Sequence, residues 1–344
     1  MWLTSSTIGR KLVMAITGVC LVLFVTFHVL MNSVAIIWPE AYNAICEFLG
    51  ANWYALVASM GLAALFLIHI LYAVWLTVQN RAARGADRYA VTSRPPQVEW
   101  SSKNMLVLGI VVVAFMGVHL IQFWSKMQLQ ELVSHDIASL PTVEGAAAAP
   151  AFGTLFLQLA FSQWYTPVIY IIGFVALWFH MTHGFWSMLH TIGWSNTTWI
   201  PRLHKIGNWW TTIVILLFVA QVGVFTWRAS EKYYVTAPQL QQQYAEYWGD
   251  RAEALIKDFQ AEANRAFADV DQQNMVEVQR VQNEFLNAHG DAFVRDAALI
   301  DSCVKVQCPN AVAPQLQSMH QFKAQIEQAM AYAKMMQNRN TNNE

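Results

Sequence analysis

Residues 12–37 read LVMAITGVCLVLFVTFHVLMNSVAII, a run of 26 residues with no Lys, Arg, Asp or Glu. At about 1.5 Å per residue, a helix of that length exceeds the roughly 30 Å hydrocarbon core of a bilayer. The stretch therefore predicts a membrane-spanning helix, and it carries one basic side chain, His28. The Arg10-Lys11 pair before it imitates the basic start of a signal peptide. No small-residue cleavage site follows the apolar run, so a retained helix is expected.

Working outward, four more apolar runs of spanning length lie near residues 53–78, 105–124, 166–189 and 209–227. The fourth opens with Pro167, which suits a first helical turn. Of the 344 residues, 56% are hydrophobic and only 12% are charged, which does not fit a water-soluble chain of this size. The 15 tryptophans lie mostly near the ends of the apolar runs, as aromatic anchors at a lipid interface do. A formal net charge of −1 excludes a basic nucleic-acid binder. That balance hides an asymmetry: residues 1–228 hold 11 Lys and Arg against 7 Asp and Glu, whereas residues 229–344 hold 10 against 15. The expected organisation is an all-α five-helix membrane bundle over residues 1–228 and an extra-cytoplasmic helical extension over residues 229–344.

Positive charge sorts the connections. Arg10 and Lys11 precede the first run; Arg81, Arg84, Arg88, Arg94 and Lys103 follow the second; Arg202 and Lys205 follow the fourth. These ends are expected on the cytoplasmic side. The first connection has Glu40 and Glu47 without a cation, and the third has Lys126 against Glu131, Asp136 and Glu144, so both are expected outside. Five spans then place the N-terminus in the cytoplasm and the tail on the external face of the inner membrane.

In the tail, Leu240, Tyr244, Tyr247, Leu255, Phe259, Phe267, Val270, Val278, Val281 and Phe285 recur near helical spacing, which predicts one long helix stopped at His289-Gly290. A second helix is expected from about residue 315 to residue 338. Such an amphipathic pair suits an oligomerisation surface or a docking arm for another envelope protein, through residues 236–344. The four cysteines are too few and too scattered for a disulfide framework, and no CxxC occurs. Cys303 and Cys308 flank a short loop, compatible with a disulfide or with two free thiols.

Four histidines, His28, His69, His119 and His180, lie well inside four different apolar runs. An ionisable side chain there is costly and marks function more often than an ordinary surface residue does. Counting from the ends of the runs, His28 and His119 sit 9 and 5 residues from the outer ends, and His69 and His180 each sit 9 from the inner ends. They form two layers, separated by on the order of 10 to 15 Å along the membrane normal. Two histidines at one depth on facing helices supply both axial positions of a haem iron. Two such pairs imply two stacked haems. Without a CxxCH signature these would be non-covalent b haems, and with both axial positions filled their task would be electron transfer. A zinc site asks for three or four protein ligands, which two histidines per layer do not supply. Proton relay leaves the two-by-two layering unexplained, and a haem-free scaffold or transporter would use the imidazoles only for helix contacts. In the fourth run His180 and His183 lie three apart on nearly the same face, and spacing alone does not choose between them as ligand. His190, His204, Arg202 and Lys205 stand where haem propionates would reach the inner rim.

The segments SSTIGRKLVMAITG, FHVLMN, EAYNAICEF, IHILYAV, GVHLIQFW and FHMTHGFWSMLHTIGW, in that order, resemble the five-helix, di-haem cytochrome b subunit of bacterial succinate dehydrogenase and fumarate reductase. The resemblance covers about residues 5–228. It implies His28 with His119 at the outer haem and His69 with His180 at the inner one, leaving His183 at a variable position. It also implies a partner flavoprotein with FAD that interconverts succinate and fumarate, an iron–sulfur subunit that carries electrons to the membrane, and a quinone, usually menaquinone, as substrate. Dicarboxylate chemistry would reside in the flavoprotein. Quinone reduction takes up two protons, and Glu47 lies where some members place a carboxylate used in quinol chemistry. Certain fumarate reductases carry a proton-moving glutamate where this chain has Trp178, so a route of that kind is not expected. The same scaffold serves succinate oxidation and quinol:fumarate reduction. Membrane cytochromes b of other respiratory dehydrogenases, such as a hydrogenase or formate dehydrogenase, remain the competing class. The family's subunits end soon after the fifth helix, so the tail stands outside the resemblance.

Overall fold

The computed structural model describes residues 6–84, 100–134, 136–194 and 196–341, the side chains of 84 and 337–341 excepted. Arg88 and Arg94 of the second connection lie outside the described residues. The helices longer than nine residues are α1 (Thr7–Ile37), α2 (Pro39–Ala51), α3 (Trp53–Arg84), α4 (Met105–His119), α5 (Tyr165–Thr191), α6 (Trp199–Ser230), α7 (Pro238–Ala266), α8 (Met275–Phe285), α9 (Asp291–Gln307) and α10 (Pro314–Thr341). A π turn at Leu120–Trp124 continues α4. Five helices are long and apolar enough to cross a membrane: α1, α3, α4 with its π turn, α5 and α6. The chain is an all-α membrane helical bundle with one short two-stranded ribbon among the described residues. It divides into two compact units, one of residues 1–131 and 156–231, the other of residues 132–155 and 232–344.

In the first unit α1 packs against α3, α5 and α6, and α5 packs against α4 and α6. Glycine makes two of these contacts close. A Cβ at Gly173 would overlap the Phe115 ring, and one at Gly207 would come within 2.7 Å of Phe185. Membrane helices, lacking a hydrophobic drive between them, gain attraction from such bare backbone. Polar side chains supply the rest. Gln221 of α6 donates to the Val29 carbonyl (2.8 Å) and to Ser33 Oγ (2.9 Å). Arg228 donates through Nη1 to the Ala35 carbonyl (2.7 Å) and through Nη2 to that of Ile36 (2.8 Å), satisfying acceptors at the end of α1 that no further turn of helix reaches. Lipid-facing positions carry the large apolar residues, with Trp38, Trp53, Trp164, Trp209 and Trp227 all exposed.

Two expectations for this unit need correction. The first connection, holding EAYNAICEF, is not a loop but the helix α2, started by Pro39 at its first turn, where the missing N–H costs nothing. The fifth span begins ten residues before the expected point, at Trp199, where Asn196 Oδ1 accepts from the backbone N–H groups of Thr198 (3.0 Å) and Trp199 (2.8 Å). Arg202, His204 and Lys205 therefore stand on α6, not in a connection.

In the second unit α7, α9 and α10 pack on one another. Leu240, Tyr244, Trp248, Ile300 and Met319 are fully buried at its centre. The segment 132–155 contributes a ribbon, Thr142–Val143 paired with Ala146–Ala147. Its two-residue turn, Glu144-Gly145, has φ of 52° and 88°, the left-handed pair that a tight hairpin of this hand requires. Gln307 ties the parts together, accepting from Trp248 Nε1 (2.9 Å) and donating to the Ala147 carbonyl (2.6 Å).

The single long tail helix is also corrected. It breaks after Ala266, and a new helix starts where Asn274 Oδ1 accepts from the Glu277 N–H at 3.3 Å. His289-Gly290 does not stop the chain. A π turn at Leu286–Gly290 carries it into α9, and Gly290 serves close packing instead, since a Cβ there would meet Met330 Sδ at 2.6 Å. The helix expected from about residue 315 is present as α10. Cys303 and Cys308 are buried free thiols.

Candidate functional site

The four histidines of the spans meet in two pairs. His28 of α1 and His119 of α4 have ring centroids 5.8 Å apart at an interplanar angle of 89°. His69 of α3 and His180 of α5 are 6.3 Å apart at 68°. His183 is not part of the second pair; its ring lies against Trp186 at 5.1 Å. Trp186 in turn stacks on His204 at 4.3 Å and 27°. His190, Arg202 and Lys205 are exposed.

The separations suit one metal ion shared by each pair. Two metal–imidazole bonds of about 2.0 Å, with the ring radii added, put facing centroids about 6 Å apart. Among the described residues no group of three or more His, Cys, Asp or Glu is placed to hold a metal ion, so what these spans offer is paired nitrogen donors. The backbone beside the second pair is bare. A Cβ at Gly18 would come no nearer than 4.0 Å to His69 Cε1, and one at Gly109 no nearer than 3.9 Å to His180 Cε1. Glycine therefore lets the helix backbone of α1 and of α4 approach the His69 and His180 rings.

Hydrogen bonds fix how two of the rings present themselves. Gln122, on the π turn, donates through Nε2 to Thr166 Oγ1 (3.0 Å), which leaves its Oε1 to accept the Tyr170 hydroxyl (3.0 Å). Tyr170 Oη, its proton so committed, faces His119 Nδ1 at 3.1 Å as an acceptor. His119 is then the Nδ1–H tautomer, with the lone pair on Nε2. The other pair repeats the logic with different parts. Thr17 Oγ1 donates to the nearer carbonyl, that of Val13 (2.9 Å), within its own helix, with that of Met14 at 3.1 Å, and lies 3.1 Å from His69 Nδ1. His180 Nδ1 is buried with no hydrogen-bond partner. Aromatic rings pack the first pair: Phe24 stacks on His28 at 5.3 Å, and Phe115 and Phe123 lie 6.1 and 5.4 Å from His119.

Sequence reasoning missed Thr17, Gln122, Thr166 and Tyr170. Their signal was a hydroxyl or amide within an apolar run, a costly placement unless it has a partner. Trp178 donates through Nε1 to Thr212 Oγ1 at 3.0 Å and so joins α5 to α6. Glu47 is exposed on α2, beside an open depression of about 480 Å³ that is also lined by Phe48, Trp53 and Tyr54. Trp53 and Tyr54 stack there at 3.7 Å.

Fold and site together define a class: a five-span helical bundle that presents two interhelical imidazole pairs. The chain is similar to the succinate dehydrogenase cytochrome b558 subunit of Bacillus subtilis (strain 168), with 24% identity over 203 residues that cover 59% of this chain and 86% of that subunit. No family model and no solved structure matches the chain.

Proposed function

We propose that the chain is the membrane anchor and electron-transfer subunit of a succinate:quinone oxidoreductase, with two b haems held by His28 with His119 and by His69 with His180. The observation that carries this reading is the meeting of four span histidines as two pairs, each at the separation that a shared iron requires. The similarity to a subunit named for succinate dehydrogenase and cytochrome b supports the same reading. When bound, the haems would supply one-electron chemistry without an open iron position.

The chain's own residues do the rest. The imidazoles bind through Nε2, and the apolar spans and packed aromatic rings keep water from them. Arg10, Lys11, Arg81, Arg202 and Lys205 put the corresponding ends in the cytoplasm. The flavoprotein with FAD and the iron–sulfur subunit would dock on that face. The tail then lies outside, as an external helical domain beyond residue 228. Glu47, exposed beside an apolar, aromatic-lined depression at the opposite end of the spans, is placed to exchange protons with a quinone, with menaquinone the expected type. The stacked Trp53 and Tyr54 rings offer that quinone a flat apolar face.

The test is haem stoichiometry in the purified complex, read from reduced-minus-oxidised spectra. Two haems per chain are expected. His28→Ala and His119→Ala should each lose one and the same haem, and His69→Ala and His180→Ala the other, while His183→Ala keeps both. Folded protein without haem absorption would overturn the cytochrome assignment. Haem-loaded protein recovered from intact membranes without a flavin-bearing partner would overturn the succinate complex in favour of another respiratory dehydrogenase.

A further inference from the structure

The two pairs share a detail that ligation alone does not require. Each contains one ring whose outer nitrogen faces a hydroxyl, and each hydroxyl has its proton directed elsewhere. At His119 the hydroxyl belongs to Tyr170, whose proton goes to Gln122 Oε1, itself oriented by Thr166. At His69 it belongs to Thr17, whose single proton goes to the nearest acceptor, the Val13 carbonyl in the same helix. Both arrangements leave an oxygen lone pair toward Nδ1. The opposed ring at the second pair, His180, has a buried Nδ1 without a partner, so the two rings of that pair are inequivalent.

We infer that Tyr170 and Thr17 are positioning residues that hold His119 and His69 as Nδ1-protonated ligands and set the reduction potentials of the two haems separately. The inference rests on the haem reading above. The physical link is the ligand's basicity. An acceptor on Nδ1–H pushes electron density toward Nε2, making the imidazole a stronger donor. A stronger donor favours ferric over ferrous iron and so lowers the potential. The two acceptors differ in kind. Thr17 is fixed by its own helix and is insensitive to its neighbours. Tyr170 depends on a chain of side chains that joins the π turn after α4 to the first turns of α5.

The experiment is a redox titration of the intact complex in native membranes, following each haem's absorption in wild type, Tyr170→Phe, Thr17→Val, Thr17→Ser and Gln122→Leu. Tyr170→Phe should raise the potential of the haem lost in His119→Ala and leave the other unchanged. Thr17→Val should do the reverse, and Thr17→Ser, which keeps the hydroxyl, should restore the wild-type value. Gln122→Leu leaves the Tyr170 ring in place but frees its proton, and should raise the same potential as Tyr170→Phe by less. If Tyr170→Phe fails to retain its haem, Gln122→Leu decides. Two haems present with unshifted potentials in Thr17→Val and Gln122→Leu would overturn the inference while leaving the haem reading intact. Wild-type complex without haem would overturn both.

Discussion

The two units of the molecule differ in how many of their large apolar residues turn outward. In residues 232–344 the large apolar side chains are inside: Leu240, Tyr244, Trp248, Ile300 and Met319 are fully buried. In the spans many large apolar side chains face outward, with Leu23, Val57, Leu71, Ile121 and Leu216 all exposed, while the interior mixes buried apolar residues such as Phe115, Phe174 and Phe225 with Thr17, Tyr170, Gln221, Thr166 and the paired histidines. The difference teaches which force builds each unit. The second unit is held by burial of apolar area at its centre. Lipid gives no such drive, so the bundle relies on close glycine contacts and on hydrogen bonds that have no competitor in hydrocarbon.

That contrast can be broken or sharpened by experiment. The largest effect is expected at the tail's thiols. Burial pushes both Cys303 and Cys308 up to about 12 from an ordinary value of 9.0. Only the thiolate is nucleophilic, so at pH 8 native alkylation should be slower than in the unfolded chain by on the order of a thousand-fold, quickening as the pH approaches 12. Mass spectrometry after iodoacetamide treatment reads this directly; rapid native labelling would mean that the tail's core is open. Next, Trp248→Ala removes the largest fully buried side chain of the tail together with its bond to Gln307, and should cost about 3 to 5 kcal/mol. Denaturant unfolding in detergent should register that loss without a change in the unfolding of the spans, whereas simultaneous loss of both would end the distinction between the units. The smallest effect is expected from Arg228→Leu, which keeps apolar bulk but strands the Ala35 and Ile36 carbonyls. About 1.5 to 3 kcal/mol should be lost, here from the membrane unit, seen as a lower unfolding temperature of the spans.

Much of the bundle was legible in the sequence because a bilayer imposes one strict demand, an unbroken apolar run of fixed length, and five runs meet it. The histidine pairs were legible for a related reason: with topology settled, position along a run becomes depth, and depth restricts which rings can meet. What lay outside that logic was harder to read. The start of α6 at Trp199 carries Arg202 and Lys205, so hydropathy placed the boundary too late although Asn196 marks a helix start. The break before α8 was written as Asn274 followed three residues later by Glu277, a capping signature overridden in the reading by the apolar periodicity across it. Gly290 read as a helix stop because its other use, room for Met330 from a helix 40 residues further on, is a tertiary fact. The hydroxyls of Thr17 and Tyr170 were passed over because their partners come from other helices, and nothing local says which nitrogen of which ring they will face.

The π turn at Leu120–Trp124 gives chain length a role of its own. A π turn accommodates one residue more than α-helical winding needs for the same rise. Deleting a single residue there would leave a sound apolar helix, still able to cross the bilayer and still carrying His119, yet with Gln122 turned to another azimuth. The spacing between these two positions, one codon more or less, is therefore as much a specification of the centre as the identity of any side chain in it.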